Sequence, residues 1–327
     1  MSQHRHLLRL AGLPTERLRA VLGLANTDAD VDPQPVLRGV SLATMFFEDS
    51  TRTRTSFTLA AQKLGASVVD LSGSGSSRSK GESLVDTVKT VEAMGVGVFV
   101  VRTSQAGAAS LIASAVKGSV INAGDGRHEH PTQGLLDTLA FARAHKRTDG
   151  FDLSGLTFAI VGDCAHSRVA RSDVAAMTAL GARVVLCGPT AMCPPSLGAA
   201  LGCEVTSDFE ALLPEADGVQ MLRVQFERGA RIASARQYRD GYALTTDRAS
   251  GMKAGAVVMH PGPMNRGLEI DGAVADSDGS CGLPPSLVLE QVRLGVAVRT
   301  AVLREVLALD GGGLGPAAER LPTEASL

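Results

Sequence analysis

The stretch Val40–Ala66, "VSLATMFFEDSTRTRTSFTLAAQKLGA", decides how this 327-residue chain is read. Its opening "VSLATMFF" is the nearly unbroken apolar run of a strand buried inside a parallel sheet. The closing "FTLAAQKLGA" reads as a helix. Between them lies "STRTRTS", Ser50–Ser56, in which every residue carries a hydroxyl or a guanidinium. A helix entrance leaves backbone N–H groups without intrahelical partners, and its dipole favours negative charge. Hydroxyl donors and a guanidinium added there make a cradle for a phosphate. A plain Ser/Thr cap with an exposed helix behind it would account for only one of these hydroxyls. Successive helical residues point about 100° apart, so Arg52 and Arg54 face different ways. Arg52 is expected to meet the anion, and Arg54 to pair with a nearby carboxylate.

Working outward, strand and helix patterns alternate. "ASVVDLS", "VGVFVVR" and "SVINAGD" read as further strands; "LVDTVKTVEAMG", "AGAASLIASAV" and "PTQGLLDTLAFARAH" read as the helices between and after them. The rhythm pauses near residue 150 at the polar "KRTDGFDLSG". It resumes with "LTFAIVGD", "ARVVLCGP", "DGVQMLRV" and "AGAVVMHPGP" as strands, and "VARSDVAAMTALG" and "DFEALLPEA" as helices. Such alternation predicts α/β architecture: two doubly wound parallel-sheet domains joined by helices. The final helix, over "SLVLEQVRLGVAVRTAVLREVLAL", is expected to pack back across the molecule, and the Gly/Pro-rich tail to be disordered.

Composition narrows the function. A hydrophobic fraction of 44% with 20% charged residues is that of a globular protein, and a net charge of −2 gives no reason to expect nucleic acid. No stretch approaches a membrane span or a signal peptide, so a cytoplasmic protein is expected. Five scattered cysteines (Cys164, Cys187, Cys193, Cys203, Cys281) read as reduced thiols, and "HEHP", with His128 and His130, lacks the companions of a metal site. The "FAIVGDCAHSR" turn has no GxGxxG spacing, and no phosphate loop of the GxxxxGK[ST] kind occurs, which disfavours NAD and ATP.

Ligands of open parallel sheets bind beyond the carboxyl ends of the strands, and the remaining polar motifs sit there. Arg102 ends "VFVVR". His130 and Gln133, in "HEHPTQ", suit a neutral planar group such as an amide or carbonyl. Arg168 and Arg223, with Gln225 beside the latter and Lys80 in the loop "GSGSSRSKGES", suggest a second ligand bearing two carboxylates. One cleft lined from both domains is the expected site.

In order, "STRTR", "KGES", "HPTQGLLD", "RVQFER" and "HPGPMNRGLEI" resemble the aspartate/ornithine carbamoyltransferase superfamily, and within it the bacterial aspartate-type catalytic chains. The resemblance covers all but the tail. It implies transfer of a carbamoyl group from carbamoyl phosphate to L-aspartate, in pyrimidine synthesis, without metal, organic cofactor or covalent intermediate. By the same resemblance, Ser50, Thr51, Arg52 and Thr53 hold the phosphate. Arg102, His130 and Thr53 meet the carbonyl oxygen, and Gln133 and the backbone at Pro261 meet the carbamoyl NH2. Gly262 and Pro263 form a turn at the ligands, and Arg168, Arg223, Gln225 and Lys80 bind L-aspartate. Ser76 and Lys80 match positions that serve a neighbouring subunit, which implies a homotrimer, with regulatory chains or a dihydroorotase as possible further partners. Ser77 fits the spacing too; Ser76, four residues before Lys80, is preferred. The implied domains are a carbamoyl-phosphate domain over 1–145, joined by the helix 286–309, an aspartate domain over 146–285, and a tail 310–327. The stretch around 272–285 is longer and richer in glycine and proline than the family pattern and is expected to form a surface loop. Rival readings are an ornithine-type transferase, for which the turn lacks the His-Cys-Leu-Pro element, and a non-catalytic scaffold of the same fold.

Overall fold

A computed structural model describes residues 6–71, 83–224 and 234–307. Two parallel sheets form the frame. After helix α1 (Thr15–Asp28) come β1 (Ser41–Phe46), α2 (Thr51–Lys63), β2 (Ser67–Asp70), α3 (Leu84–Ala93), β3 (Val98–Thr103), α4 (Ala108–Ala113), β4 (Ser119–Asp125) and α5 (Pro131–Ala144). Their strands lie in the order β2-β1-β3-β4, all parallel. The second half runs β5 (Thr157–Val161), α6 (Arg168–Ala179), β6 (Arg183–Cys187), α7 (Pro195–Leu201), β7 (Glu204–Thr206), α8 (Phe209–Leu212), β8 (Gly218–Met221), α9 (Ala235–Tyr242), α10 (Thr246–Ser250), β9 (Val257–Met259) and α11 (Gly272–Ala275). Its parallel sheet has the order β7-β6-β5-β8-β9. The closing α12 (Val288–Val306) packs against α1, α2 and α5.

The doubly wound pattern predicted from the alternation is what the chain adopts, with differences at several elements. The "DFEALLPEA" helix shrinks to α8, since Pro214 cannot continue it. Residues 272–285 begin with α11, whose Val274 is fully buried, so this stretch is more than a surface loop. The apolar side chain there gains more by burial than the glycines around it cost in helix propensity.

α5 joins the two sheets. Residues 131–142 are buried without a break, so this helix has no solvent face for most of its length. Phe141 near its end meets Phe158 of β5 edge-on at 4.9 Å, which merges the cores of the two halves. Gly134 allows α6 to come close: a Cβ there would stand 2.8 Å from Ser172 Cβ and from Leu10 Cδ1. α12 is anchored to α1 by a two-pronged bond from Arg17 to Glu305, both contacts at 2.8 Å.

Register carries the site. Phe46 pairs with Arg102 across β1 and β3, so the strand end that delivers Ser50 lies beside the one that delivers Arg102. In the second sheet Val161 pairs with Met221, which sets the turn holding Asp163 next to Arg223.

Candidate active site

The carboxyl ends of both sheets open onto one cleft of about 730 Å³. Ser50, Thr51, Arg52, Thr53, Arg102, His130 and Gln133 line it from the first half, and Arg168, Arg223, Pro261, Gly262 and Pro263 from the second. Gln225, Ser76 and Lys80 lie outside the described residues, as does the tail beyond Leu307.

Ser50 is the N-cap of α2, with extended backbone, and its hydroxyl makes no capping bond to the helix. The hydroxyl is therefore left for the cleft, beside the unpaired first-turn N–H groups. Arg52 follows in that turn, and Arg54 points away to Asp70 at 3.6 Å, the carboxylate pairing expected of it. Burial, and then the positive charge of Arg223, lower the pKa of Arg52. Two cations from opposite walls thus face one another, an arrangement that an anion between them relieves.

His130 caps the entrance to α5, and Pro131 fixes the first helical residue. Its Nε2 lies 3.5 Å from Thr53 Oγ1, while its buried Nδ1 has no hydrogen-bond partner. Burial, then Arg102, Arg168 and Arg299, drive its pKa well below the usual histidine range. The imidazole is accordingly neutral, able to donate from one nitrogen and accept at the other. Gln133, one turn below, gives its Nε2 to Asp137 Oδ1 at 2.9 Å.

Arg168 crosses from α6 to the first half. Its Nη1 lies 2.9 Å from Glu48 Oε2 and donates to the carbonyl of Gly126 at 3.3 Å. Glu48 also stands 3.8 Å from Arg102 Nε, so one carboxylate spans two of the expected ligand arginines. Arg168 is therefore not an isolated surface charge; it is paired in this structure and held in place.

The turn His260–Pro263 forms the opposite lip. The His260 Nδ1 accepts the Gly262 N–H at 2.8 Å, and its backbone N–H donates to Gln291 Oε1 at 2.9 Å. The Gly262–Pro263 peptide is cis. Gly262 has φ of +65°, a region that suits glycine.

Several cleft residues were not anticipated. Arg299 of α12 is buried, stacks 5.2 Å over the Phe57 ring, and has a pKa brought down to about 10 by burial. A lone arginine in the apolar run "GVAVRTAVL" was the available signal. Asp163 and His166 also line the cleft, joined by Nδ1–carboxylate contacts of 2.8 and 3.0 Å. Among the described residues the cleft counts five arginines (52, 102, 168, 223 and 299) against two aspartates, Asp49 and the His166-bound Asp163. That balance suits ligands of strong negative charge. No group of three or more His, Cys, Asp or Glu among the described residues is placed to hold a metal, and no helix among them is long and apolar enough to cross a membrane.

Comparison with known proteins places this geometry in context. Residues 5–143 match the family model described as "Aspartate/ornithine carbamoyltransferase, carbamoyl-P binding domain", and residues 154–306 the one described as "Asp/Orn binding domain" of the same group. The chain is 50% identical over 309 residues to an aspartate carbamoyltransferase catalytic subunit of Gluconacetobacter diazotrophicus, covering 92% of each chain. It is also 50% identical over 303 residues to the protein of that name from Myxococcus xanthus, covering 91% of this chain and 98% of the relative. The fold superposes on the catalytic subunit of M. Jannaschii aspartate transcarbamoylase with TM-score 0.81 and 29% identity, covering 94% of this chain and 100% of that one. It likewise matches aspartate transcarbamoylase of Trypanosoma cruzi, solved with carbamoyl aspartate and phosphate, with TM-score 0.77 and 28% identity over 92% and 95%.

Proposed function

The chain belongs to the aspartate/ornithine carbamoyltransferase family, and from that premise we propose how its cleft divides the work of catalysis. The reaction is transfer of the carbamoyl group of carbamoyl phosphate to the α-amine of L-aspartate, giving N-carbamoyl-L-aspartate and phosphate. The observation that carries the proposal is the convergence of the open α2 entrance, neutral His130 and second-half arginines on one cleft.

In this reading Ser50, Thr51, Arg52 and Thr53 hold the phosphate group at the helix entrance. Arg102, His130 and Thr53 donate toward the carbonyl oxygen, where negative charge grows as the amine attacks. Gln133 and the backbone at Pro261 take the carbamoyl NH2, with Gly262 and Pro263 shaping the turn. Arg168, Arg223, Gln225 and Lys80 engage the two aspartate carboxylates. The amine nitrogen bonds to the carbonyl carbon, the bond from that carbon to the phosphate oxygen breaks, and the departing phosphate takes the amine proton. Rate then comes from orientation and fixed charge.

Ser76 and Lys80 are assigned to the site of a neighbouring copy, which makes the working unit a homotrimer in the cytoplasm. The same reading places the reaction in pyrimidine synthesis. It divides the chain into a carbamoyl-phosphate domain, residues 1–145 with the last helix, and an aspartate domain, residues 146–285.

The test is a carbamoylation assay on the purified chain, with carbamoyl phosphate supplied to L-aspartate in one reaction and L-ornithine in another. Ureido product from aspartate alone is expected. Product from ornithine alone would overturn the carboxylate assignments of Arg168 and Arg223, and no product from a folded trimer would favour a scaffold.

A further inference from the structure

Behind Gln133 lies a buried cluster of polar side chains to which the proposed mechanism assigns no ligand contact. Asp137, Asp173 and Gln220 are fully buried, and Gln291 is 2% exposed. They come from α5, α6, β8 and α12, so the cluster sits where both halves and the closing helix meet. Asp137 is its centre. Its Oδ1 accepts from Gln133 Nε2 at 2.9 Å and from Gln291 Nε2 at 2.6 Å, and its Oδ2 accepts from Gln220 Nε2 at 2.7 Å. Gln220 Nε2 also donates to Asp173 Oδ2 at 2.9 Å, which brings the two carboxyl groups onto one amide.

A carboxylate oxygen only accepts, so each glutamine must turn its nitrogen toward Asp137. For Gln133 the consequence is directional. With its nitrogen committed inward, its Oε1 is the atom left for the cleft, and an acceptor suits an NH2 group. Gln291 extends the same logic to the other lip. Its nitrogen is fixed by Asp137, so its Oε1 takes the His260 N–H and holds the backbone that leads into Pro261.

We propose that Asp137, with Gln291, is a positioning residue that aims the acceptor of Gln133 and the His260–Pro261 backbone at the carbamoyl NH2, and that Asp173 carries a shared proton keeping the cluster singly charged. Two carboxylates so close in a buried site do not both ionise. Burial raises the pKa of Asp137 to about 6, against the pull of the three amide donors, and raises that of Asp173 well beyond the carboxylate range. Asp137 is thus the better acceptor and Asp173 the holder of the proton. The proposal rests on the carbamoyl-transfer reading above.

The experiment measures binding of three probes to the intact chain by calorimetry: carbamoyl phosphate, acetyl phosphate, which has a methyl group in place of NH2, and inorganic phosphate. Asp137→Asn lets Gln133 turn over and present a donor. It is expected to weaken carbamoyl phosphate about tenfold, since a misdirected buried donor costs about that much, while the other two change by less than about twofold. Asp173→Asn keeps a donor toward Asp137 and is expected to preserve the discrimination. Should Asp137→Asn not fold, Gln291→Met removes one donor to the same oxygen without adding charge, and the same selective loss is expected from it. Equal weakening of all three probes, or unchanged carbamoyl phosphate binding, overturns the proposal. So does loss of discrimination in Asp173→Asn. If the unmodified chain binds acetyl and carbamoyl phosphate alike, the assignment of Gln133 and Pro261 to the NH2 group fails, independently of Asp137.

Discussion

Arg52 and Gly262 belong to opposite walls of the cleft, yet the guanidinium carbon of Arg52 stands 3.0 Å from the point that a Cβ on Gly262 would occupy. The flat guanidinium lies against bare backbone. Gly262→Ala therefore meets two penalties, the crowded arginine and a left-handed φ that costs a side-chain-bearing residue about 1–2 kcal/mol. The expected result is carbamoyl phosphate affinity reduced about tenfold with the fold retained. Circular dichroism and calorimetry on the same sample check it, and undiminished affinity would show that Arg52 is not held by this contact.

Removing the guanidinium itself should cost far more. Arg52→Ala is expected to lower kcat by about 10² to 10³, the loss seen when a preorganised donor to developing charge is deleted. Steady-state kinetics at saturating carbamoyl phosphate and aspartate provide the measurement. Turnover close to that of the unmodified chain would remove Arg52 from the phosphate cradle.

His130 should stay neutral where ordinary histidines titrate. Its folded pKa lies well below its unfolded value of 6.5, so between the two the unfolded chain holds a proton that the folded chain refuses. This contribution to stability is present above about pH 6.5 and is lost as pH falls, at up to about 1.4 kcal/mol per pH unit. His130→Gln should flatten that part of the pH–stability curve. In NMR, the imidazole signal that this variant deletes should not shift between about pH 8 and 6; a midpoint near 6.5 would contradict the assignment.

Gly134 is a packing prediction. Gly134→Val drives a branched side chain into Leu10 and Ser172, which lie 2.8 Å from its Cβ position. A destabilisation of about 1–3 kcal/mol is expected from such overpacking. Thermal denaturation reads it directly, and an unchanged melting temperature would mean that α5 and α6 can separate at no cost.

The parts of the site that were legible in the sequence were those whose composition is odd for their position. Seven consecutive hydroxyl and guanidinium residues at a strand-to-helix junction have few structural explanations, and Ser50–Thr53 do line the cleft. The main strands were readable because a parallel sheet, covered on both faces, demands long apolar runs. Asp137 and Asp173 were not readable. A polar residue on a helix looks the same in sequence whether it faces water or a buried partner, and these two find partners on α12 and β8, far along the chain. Glu48 was missed likewise, since its tie to Arg168 spans the two halves. α9 escaped because it buries Tyr238 alone, whereas α1 was overlooked although Leu18, Val21, Leu22 and Ala25 recur at the spacing of a buried helix face.

α12 gives the molecule a mechanical property. Because it returns to lie on α1, α2 and α5, the second half is attached to the first by two passages of chain, one leaving α5 and one entering α12. Those two crossings, with the Phe141–Phe158 contact and the Arg168–Glu48 pair, brace the halves against one another. The arginines of the second half are thereby held in a set alignment opposite the donors at the α2 entrance.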